Sequence, residues 1–389
     1  MRHPQYTLSC KDVSRWAVQW MTQALGWTTL VGSVSSELLV QLLVRAAAEM
    51  RSLSAIVREA SAAPSVETIR LALGRCLPGT PAALLPATTK ALHTRLPKSL
   101  KRRPRTMAID WHLRPYYGDR RTPGIFRGQP KAGTKSFFAY ATLLVIRRGQ
   151  TFTVGLTHVV NGEEQTAVMA RLLEQARQAG LRVRRLLLDR GFYAATTIHW
   201  LQQASIAFVM PMIRRGQSGR RKADCTGTAQ FFVARRRGWT THTWTARPRR
   251  GGRKRQALTV TVDVCMAPRP LGRGKKKGPL VFACHGVRCA PRELVARYRK
   301  RFRIETSYRQ LGQGLAATCS TNPVFRLLLV AIALVLRNLW VWLHGVILAE
   351  RRESGRRVCH DKLPLRKMTY WILRVLDKTL GVQPGVVTT

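Results

Sequence analysis

Acidic side chains are scarce in this chain, which has 19 Asp and Glu residues against 67 Lys and Arg residues. The formal net charge is +48 at pH 7, and the isoelectric point lies near 11.7. Such a charge favours a polyanionic partner, because each Lys or Arg that meets a phosphate releases a condensed counterion. We therefore expect double-stranded DNA as the partner, and an anionic membrane surface is the alternative.

Cysteine motifs are also lacking, although the chain contains 8 cysteines. None stands in a Cys-x-x-Cys motif, and no Cys/His spacing matches a structural zinc site. The first residues, Met-Arg-His-Pro-Gln, lead into no apolar signal stretch. Scattered thiols without a signal stretch favour a reducing compartment, so we expect a cytoplasmic, nucleoid-associated protein.

Only one apolar run, residues 327–348, is long enough to cross a bilayer. Arg337 and Asn338 stand in the middle of this run, and His344 follows them. A central Arg costs about 2.5–3.5 kcal/mol on insertion into a membrane. We therefore predict a buried core helix and no membrane partner.

Helical patterns fill the N-terminal quarter, which is predicted to bind DNA. Apolar residues recur at helical spacing over residues 35–50 and 53–60. Ser65 is the expected N-cap of a further helix, and Gly74 its expected end. Helix, short turn and helix is the layout of a helix-turn-helix DNA reader, although any helical bundle gives similar patterns. Residues 97–106 then read as a basic linker.

Strands and helices alternate from residue 106 onwards. This alternation favours an α/β fold whose sheet contains parallel strands, with helices flanking it. Two of the strands are predicted to end in acids, at Asp110 and Asp189. The predicted strands are 106–110, 136–146, 151–160, 183–188 and 206–210, and the predicted helices are 163–178 and 194–204.

Residues 214–278 interrupt the alternation with many Lys and Arg residues and only two acids, Asp224 and Asp263. Apolar β-like pieces persist there, so we predict an inserted β-rich module with basic loops, including a mobile loop at 268–278. The pieces are Phe231 to Val233, Trp239 to Trp244 and Leu258 to Val264.

The chain then returns to regular elements. A strand is predicted at 280–284, and Pro291 suits the first turn of one long helix that reaches about Leu311. An apolar helix near 324–349 and an amphipathic stretch at 369–376 follow.

Three acids are placed for metal-dependent cleavage of a phosphodiester: Asp110, Asp189 and Glu305. Two divalent ions about 3.5–4 Å apart stabilise both the attacking and the leaving oxygen in such reactions. Mg²⁺ prefers oxygen ligands and keeps several waters, so a few carboxylates suffice to hold it. Adjacent strand ends and a helix packed across them can bring three such groups together.

Spacing on the predicted helix favours a shared face around Glu305. Tyr298, Arg301 and Glu305 stand at i, i+3 and i+7, and Arg309 continues the face one turn later. Arginines beside a metal-bound carboxylate can hold DNA phosphates. For Glu305 alone, a plain ion-pair network is the alternative.

Three sequence blocks resemble those of the DDE transposases. They are Ala-Ile-Asp-Trp-His-Leu-Arg-Pro-Tyr-Tyr-Gly around Asp110, Leu-Leu-Leu-Asp-Arg-Gly-Phe around Asp189, and Tyr-x-x-Arg-x-x-x-Glu ending at Glu305. The third block resembles that of the insertion-sequence-four superfamily, and the Pro-Tyr-Tyr-Gly run is similar to its haloarchaeal-type subgroup. That superfamily continues to a Lys, which would fall at Gly312, and Arg309 is the expected substitute.

The resemblance implies a ribonuclease H-like core interrupted by the basic β-rich insertion. It implies two Mg²⁺ ions, with Mn²⁺ able to substitute, where Asp110 bridges both ions, Asp189 binds one and Glu305 the other. It also implies cut-and-paste DNA transposition by a homodimer on DNA, with the hairpin intermediate of relatives left open. The expected DNA contacts are Arg190, Tyr298, Arg301 and Arg309, with Trp239 or Trp244 stacking on a flipped base.

The alternative function is that of a catalytically inactive, transposase-derived DNA-binding protein.

Five segments are predicted from these patterns. The segments are a helical N-terminal DNA-binding region (1–100), the first part of the core (101–213), the basic β-rich insertion (214–279), the second part of the core with the catalytic helix (280–349) and a C-terminal helical tail (350–389).

Overall fold

The N-terminal quarter of the chain folds into five helices in the computed structural model, which describes residues 7–28, 34–147, 150–217, 219, 221–233, 237–246, 257–269, 278–353 and 355–382. Hydroxyl side chains cap all five at their N-termini. Ser65 caps the fourth as predicted, by accepting from the backbone N–H of Thr68. The helices are α1 (Cys10–Leu25), α2 (Ser36–Glu49), α3 (Leu53–Glu59), α4 (Val66–Cys76) and α5 (Pro81–His93).

Gly74 was expected to end α4, and this prediction is wrong. The helix runs on to Cys76, and Leu77 closes it by donating its backbone N–H to Leu73. Gly74 does not take the left-handed conformation for which a C-terminal glycine is favoured, so it lies inside the helix.

A central mixed sheet follows the helices. Nine strands of the described chain join it in the order β2-β3-β1-β5-β6-β9-β8-β7, and β4 pairs with β3 beside β2. The strands are β1 (Arg105–Pro115), β2 (Phe126–Lys131), β3 (Thr134–Arg147), β4 (Gln150–Val159), β5 (Val183–Leu187), β6 (Phe208–Pro211), β7 (Gly238–Ala246), β8 (Leu258–Ala267) and β9 (Leu280–His285).

Strand direction in this sheet agrees with the predicted ribonuclease H-like core. β3 runs antiparallel to both β1 and β4, whereas β5 runs parallel to β1 and β6 parallel to β5. Helix α6 (Gln165–Gln178) connects β4 to β5, and α7 (Ala195–Gln203) connects the parallel strands β5 and β6. The α/β class with a helical N-terminal region is thereby confirmed.

Beyond β6 the sheet continues with β9 and then with the two strands of the predicted insertion, β8 and β7. β9 pairs antiparallel with β6, β8 with β9, and β7 with β8. The predicted strands in this segment are found, except that Phe231 to Val233 is not a strand, because Gly227–Phe232 forms a 3₁₀ turn. Most of the loop predicted to be mobile falls at 270–277, outside the described residues.

One face of the sheet is covered by α8 (Pro291–Arg299) and α9 (Arg303–Leu311). Leu294 and Ile304 of these helices pack in one buried cluster with Ala108 and Leu187 of the sheet. One continuous helix was predicted here, and this is wrong, because a 3₁₀ turn at Lys300–Phe302 separates the two. That segment has no Gly or Pro, so the break has no local signal in the sequence.

Two further helices complete the chain: α10 (Pro323–Trp342), which continues as a π-helical turn at Leu343–Ile347, and α11 (Leu365–Thr379). Within the described residues, one helix, Pro323–Ile347, has the length and mean hydropathy (2.1) of a membrane span. Its most apolar window is 89% buried inside the protein, as expected of a core helix. A short hairpin, β10 (Glu350–Arg352) with β11 (Gly355–Arg357), lies between α10 and α11.

The N-terminal helices share a hydrophobic core with the rest of the chain. α1 and α2 pack against α11 and α10, and α5 packs against β4 and α10. Buried residues of α2, such as Leu42 and Leu43, belong to the same cluster as Leu339 and Leu376. The five segment boundaries and the reading of DNA by α2 to α4 remain predictions.

Candidate active site

Asp110 lies in the middle of β1 rather than at its end. The antiparallel partner β3 keeps pairing with β1 as far as Pro115, and Asp110 stands opposite Thr142. The parallel pairing with β5 stops earlier, at Ala108 and Leu187. Asp110 therefore marks the end of the parallel part of the strand, which corrects the predicted strand end.

The register of β1 and β5 brings Asp110 and Asp189 side by side. Ala108 pairs with Leu187, and each acid follows its paired residue by two positions. Side chains two positions apart in an extended chain share a face, which here is the face that carries α8 and α9. Asp189 also accepts at Oδ1 from the backbone N–H of Gly191, at 2.8 Å, and so caps the 3₁₀ turn after β5.

Arg301 connects the sheet to the third acid, Glu305. Its Nη1 donates to Oδ2 of Asp110 at 3.2 Å, and its Nη2 donates to Oε1 of Glu305 at 3.0 Å. The Arg301 side chain is only 9% exposed, whereas that of Glu305 is 49% exposed. The predicted common face of Arg301 and Glu305 is therefore found, with an ion pair across it.

The three carboxylates belong to one electrostatic site. Burial acts to lower the pKa of Arg301, but Tyr298, Asp110, Asp189 and Glu305 outweigh it and raise that pKa. Burial raises the pKa of Asp110 to about 6, the charge of Asp189 adds to the rise, and Arg301 opposes it. Two acids thus face each other with incomplete compensation by one guanidinium.

The donor set fits a divalent cation in part. Asp110 and Asp189 offer the carboxylate oxygens that Mg²⁺ prefers. A cation beside them would favour the ionised form of Asp110, whose pKa is raised by burial and, to a lesser extent, by the charge of Asp189. In the described part of the chain, however, no group of three or more His, Cys, Asp or Glu side chains is close enough to hold a metal ion. The guanidinium of Arg301 lies between the carboxylates of Asp110 and Glu305, and it keeps Glu305 apart from the two aspartates.

Two predicted DNA contacts, Tyr298 and Arg301, face the interior instead. Tyr298 is 8% exposed, and its hydroxyl donates to the carbonyl of Leu188 at 3.0 Å. Arg301 is occupied by two carboxylates. Both side chains support the acids in this structure, and their contact with phosphates remains a prediction.

Arg190 and Arg309 are placed differently. Both side chains are exposed, and they flank Asp189 and Glu305 in the chain. Arg309 makes one long bond, from Nη2 to Thr306 Oγ1 at 3.4 Å. Their position leaves both guanidinium groups accessible to an anion.

The two candidate tryptophans of β7 have unequal surroundings. Trp239 donates its indole N–H to the carbonyl of Cys289 at 3.0 Å and packs against the cluster under α8. Trp244 stacks on Tyr193, with ring centroids 5.5 Å apart, and on His242 at 5.2 Å. Tyr193 follows Asp189 closely in the chain, so this stack connects β7 to the segment after Asp189.

Sequence reasoning missed Tyr308, which fixes the backbone at Asp110. Its hydroxyl donates to the carbonyl of Asp110 at 2.8 Å and bonds Thr142 Oγ1 at 2.7 Å. Tyr308 stands seven residues after Arg301, so its helical spacing was an available signal. The opposing position of Thr142 depends on strand register and carried no such signal.

Comparison with known proteins agrees with this fold. The sequence model of the Transposase DDE domain matches residues 101–339, which include all three acids. No curated protein matches the chain. A piggyBac transposase, solved as a synaptic complex with hairpin DNA, is similar in fold, with a TM-score of 0.53 and 10% sequence identity over 99% of this chain and 84% of that one. Since the domain match spans more than half of the chain, the protein belongs to the family of transposases with a DDE domain.

Proposed function

We propose that this transposase cleaves DNA strands at transposon ends and transfers them into target DNA in a metal-dependent reaction. The observation that carries the proposal is the paired register of β1 and β5, which aligns Asp110 with Asp189. Arg301 ties Glu305 to this pair. All three acids lie within residues 101–339, the part of the chain that matches the DDE domain.

Two Mg²⁺ ions are the proposed cofactor, and Mn²⁺ is the expected substitute. Such ions would supply charge stabilisation and an activated nucleophile when bound. Asp110, Asp189 and Glu305 are the residues that would hold them. Arg301 serves as counter-ion to Asp110 and Glu305, and Tyr308 and Tyr298 hold the backbone beside Asp110 and Asp189.

Double-stranded DNA is the proposed substrate, and the net charge of +48 supports it. Arg190 and Arg309 are the proposed phosphate contacts, because they are exposed beside the acids. Trp244 is the better candidate for stacking on a flipped base, since Trp239 is tied to Cys289.

The course of the reaction is proposed from the resemblance to the insertion-sequence-four superfamily. We propose cut-and-paste movement by a homodimer on DNA in the cytoplasm, without a membrane partner. A hairpin intermediate is part of the proposal, and the stacking position of Trp244 supports it. A duplex with a free end would report this step as a closed product on a denaturing gel.

The test is Mg²⁺-dependent cleavage of a duplex that carries the inverted repeats flanking the coding region. Asp189→Asn is expected to lower the cleavage rate by at least about 10²–10³-fold, as for the loss of one electrostatic group in other enzymes. Glu174→Gln is the matched control, because Glu174 pairs with Arg177 on the exposed side of α6. The control should retain the rate of the unaltered protein.

One observation favours a second candidate, a catalytically inactive DNA-binding protein. Arg301 lies where a cation between Asp110 and Glu305 would be expected. If the unaltered protein binds the duplex but forms no products, this second candidate is correct. Equal products from the unaltered protein and from Asp189→Asn would instead refute the catalytic role of Asp189.

A further inference from the structure

A pocket that contains two arginines lies beside the candidate active site, between α9, α10 and the start of β4. Its volume is about 220 Å³. Two arginines line it, and no carboxylate of the described chain does. We call it the Arg337 pocket, and its walls include Thr151, Arg303, Thr306, Gln310, Arg337 and Trp340.

Arg337 is the buried charge that interrupts the apolar run of α10. Its residue is 4% exposed, and its Nε and Nη1 donate to Gln310 Oε1 at 3.1 Å and to the carbonyl of Thr151 at 2.9 Å. Both acceptors are neutral. Burial lowers the pKa of Arg337 to about 10, so the side chain stays protonated at neutral pH but its charge is less stable here than in water. A buried charge is stabilised by an ion of opposite sign, which neither acceptor supplies.

The neighbouring Asn338 shows how an internal polar group is satisfied without a ligand. Its amide accepts from the backbone N–H of Thr153 and donates to the carbonyls of Thr153 and Leu92. This uncharged side chain ties α10 to β4 and α5. Arg337 makes comparable bonds to neutral groups, but its positive charge remains without a partner among them.

A second cation, Arg303, faces the same pocket from α9. Arg303, Thr306 and Gln310 stand at i, i+3 and i+7 and share one helical face. Glu305 and Arg309 lie on the adjoining face of the same helix. The pocket is therefore next to the acids but separate from them.

We propose that the Arg337 pocket binds a phosphate group, held by Arg303 and Arg337 with Thr306 and Gln310 as hydrogen-bonding neighbours. Bidentate pairing of guanidinium groups with phosphate oxygens is the chemistry that such a site offers. The phosphate comes either from a DNA backbone or from free phosphate. The DNA source rests on the proposed function, because a strand lying across α9 at Glu305 would carry a phosphate past this pocket.

The test variant is Gln310→Glu, which places a carboxylate inside the Arg337 pocket. The new carboxylate would lie at the atom that now accepts from Arg337 Nε, and it would neutralise the pocket. Gln313→Glu is the matched control, because it adds the same charge at an exposed position three residues further on. Melting temperature of the full chain is measured in inorganic phosphate and in chloride of equal ionic strength.

Phosphate is expected to raise the melting temperature of the unaltered protein and of Gln313→Glu, and to lose most of this effect in Gln310→Glu. Equal shifts in both variants would overturn the proposal. Should Gln310→Glu fail to fold, Arg303→Gln replaces it, because Arg303 is only partly buried. A phosphate shift that survives Arg303→Gln would likewise overturn the proposal.

Binding of a short DNA duplex distinguishes the two sources. If the source is DNA, the slope of log affinity against log salt should fall in magnitude by about 0.9 in Gln310→Glu relative to Gln313→Glu, the value for one phosphate contact on B-DNA. An unchanged slope together with a lost phosphate shift identifies free phosphate. Neither readout requires cleavage, so the proposal can succeed where the nuclease proposal fails.

Discussion

Two buried arginines are each surrounded by three carboxylates. Arg45 lies in α2, among the N-terminal helices, and Arg301 lies beside the sheet. Arg45 is 4% exposed at its side chain and lies 3.1 Å from Glu49, 3.4 Å from Glu59 and 2.7 Å from Asp377. It thus pairs with all three acids and joins α2 to α3 and α11. This cluster is a closed ion-pair network with a structural role.

Arg301 pairs with only two of its three acids, Asp110 and Glu305. Asp189 remains beyond its ion pairs and is held by the backbone of Gly191. The charge of Asp189 then contributes to the raised pKa of Asp110, after burial. The same set of residue types is therefore structural where every charge is paired, and suited to a cation where one acid is left over.

Removing the guanidinium of the closed network should have the largest effect on stability. Arg45→Met is expected to lower the free energy of unfolding by about 3–5 kcal/mol, because it leaves partly buried carboxylates without their partner. Urea unfolding of the full chain measures this. Arg374→Met on the exposed side of α11 is the control, and a loss no larger than that of the control would contradict the structural role.

The same change at the site should have a smaller effect that a metal can reverse. Arg301→Met is expected to lower the free energy of unfolding by about 1–3 kcal/mol through two lost charged hydrogen bonds. Mg²⁺ should restore much of this loss, because a cation can replace the guanidinium among Asp110, Asp189 and Glu305. Melting temperatures with and without Mg²⁺ measure the difference. Equal responses to Mg²⁺ in Arg301→Met and Arg45→Met would remove the distinction between the two clusters.

Neutralising Asp110 in β1 should give a modest gain in the free energy of unfolding together with the loss of cleavage. Its pKa rises from 3.8 in the unfolded chain to about 6 in the fold, so the folded state holds the proton more tightly and loses stability as the pH rises through this window. Asp110→Asn removes this penalty and should add about 1–2 kcal/mol at neutral pH, with part of the gain offset by the lost bond to Arg301.

The gain from Asp110→Asn should vanish at pH below 3.8, where the carboxyl is protonated in both states. Urea unfolding at acidic and neutral pH checks the sign. A gain of the same size at both pH values would show that the effect has another cause than the charge.

Local patterns predicted the core elements and the helical neighbours of the site well. Asp110 and Asp189 were recognised after apolar strand-like runs, and Glu305 with Arg301 by spacing on one helix. β2, in contrast, escaped prediction, because Phe126–Lys131 contains a Gly and a Pro and forms a largely exposed edge.

Features that depend on distant parts of the chain could not be predicted. The inward orientation of Arg301 depends on the 3₁₀ turn and on Asp110, 191 residues earlier in the sequence. The opposition of Asp110 and Thr142 depends on strand register, which several pairings could have satisfied. The packing of the first two helices on the last one has no counterpart in any short sequence window.

The contact between α1, α2 and α11 has a consequence for biosynthesis. Arg45 and Asp377 are separated by 332 residues, so the ribosome must synthesise this whole stretch before the N-terminal helices can pack on α11. During translation the apolar sides of the early helices stay uncovered, and contacts of such large sequence separation form late. The N-terminal helices are therefore expected to reach their final packing only after α11 has been made, and chaperones that shield nascent chains should raise the yield of folded protein.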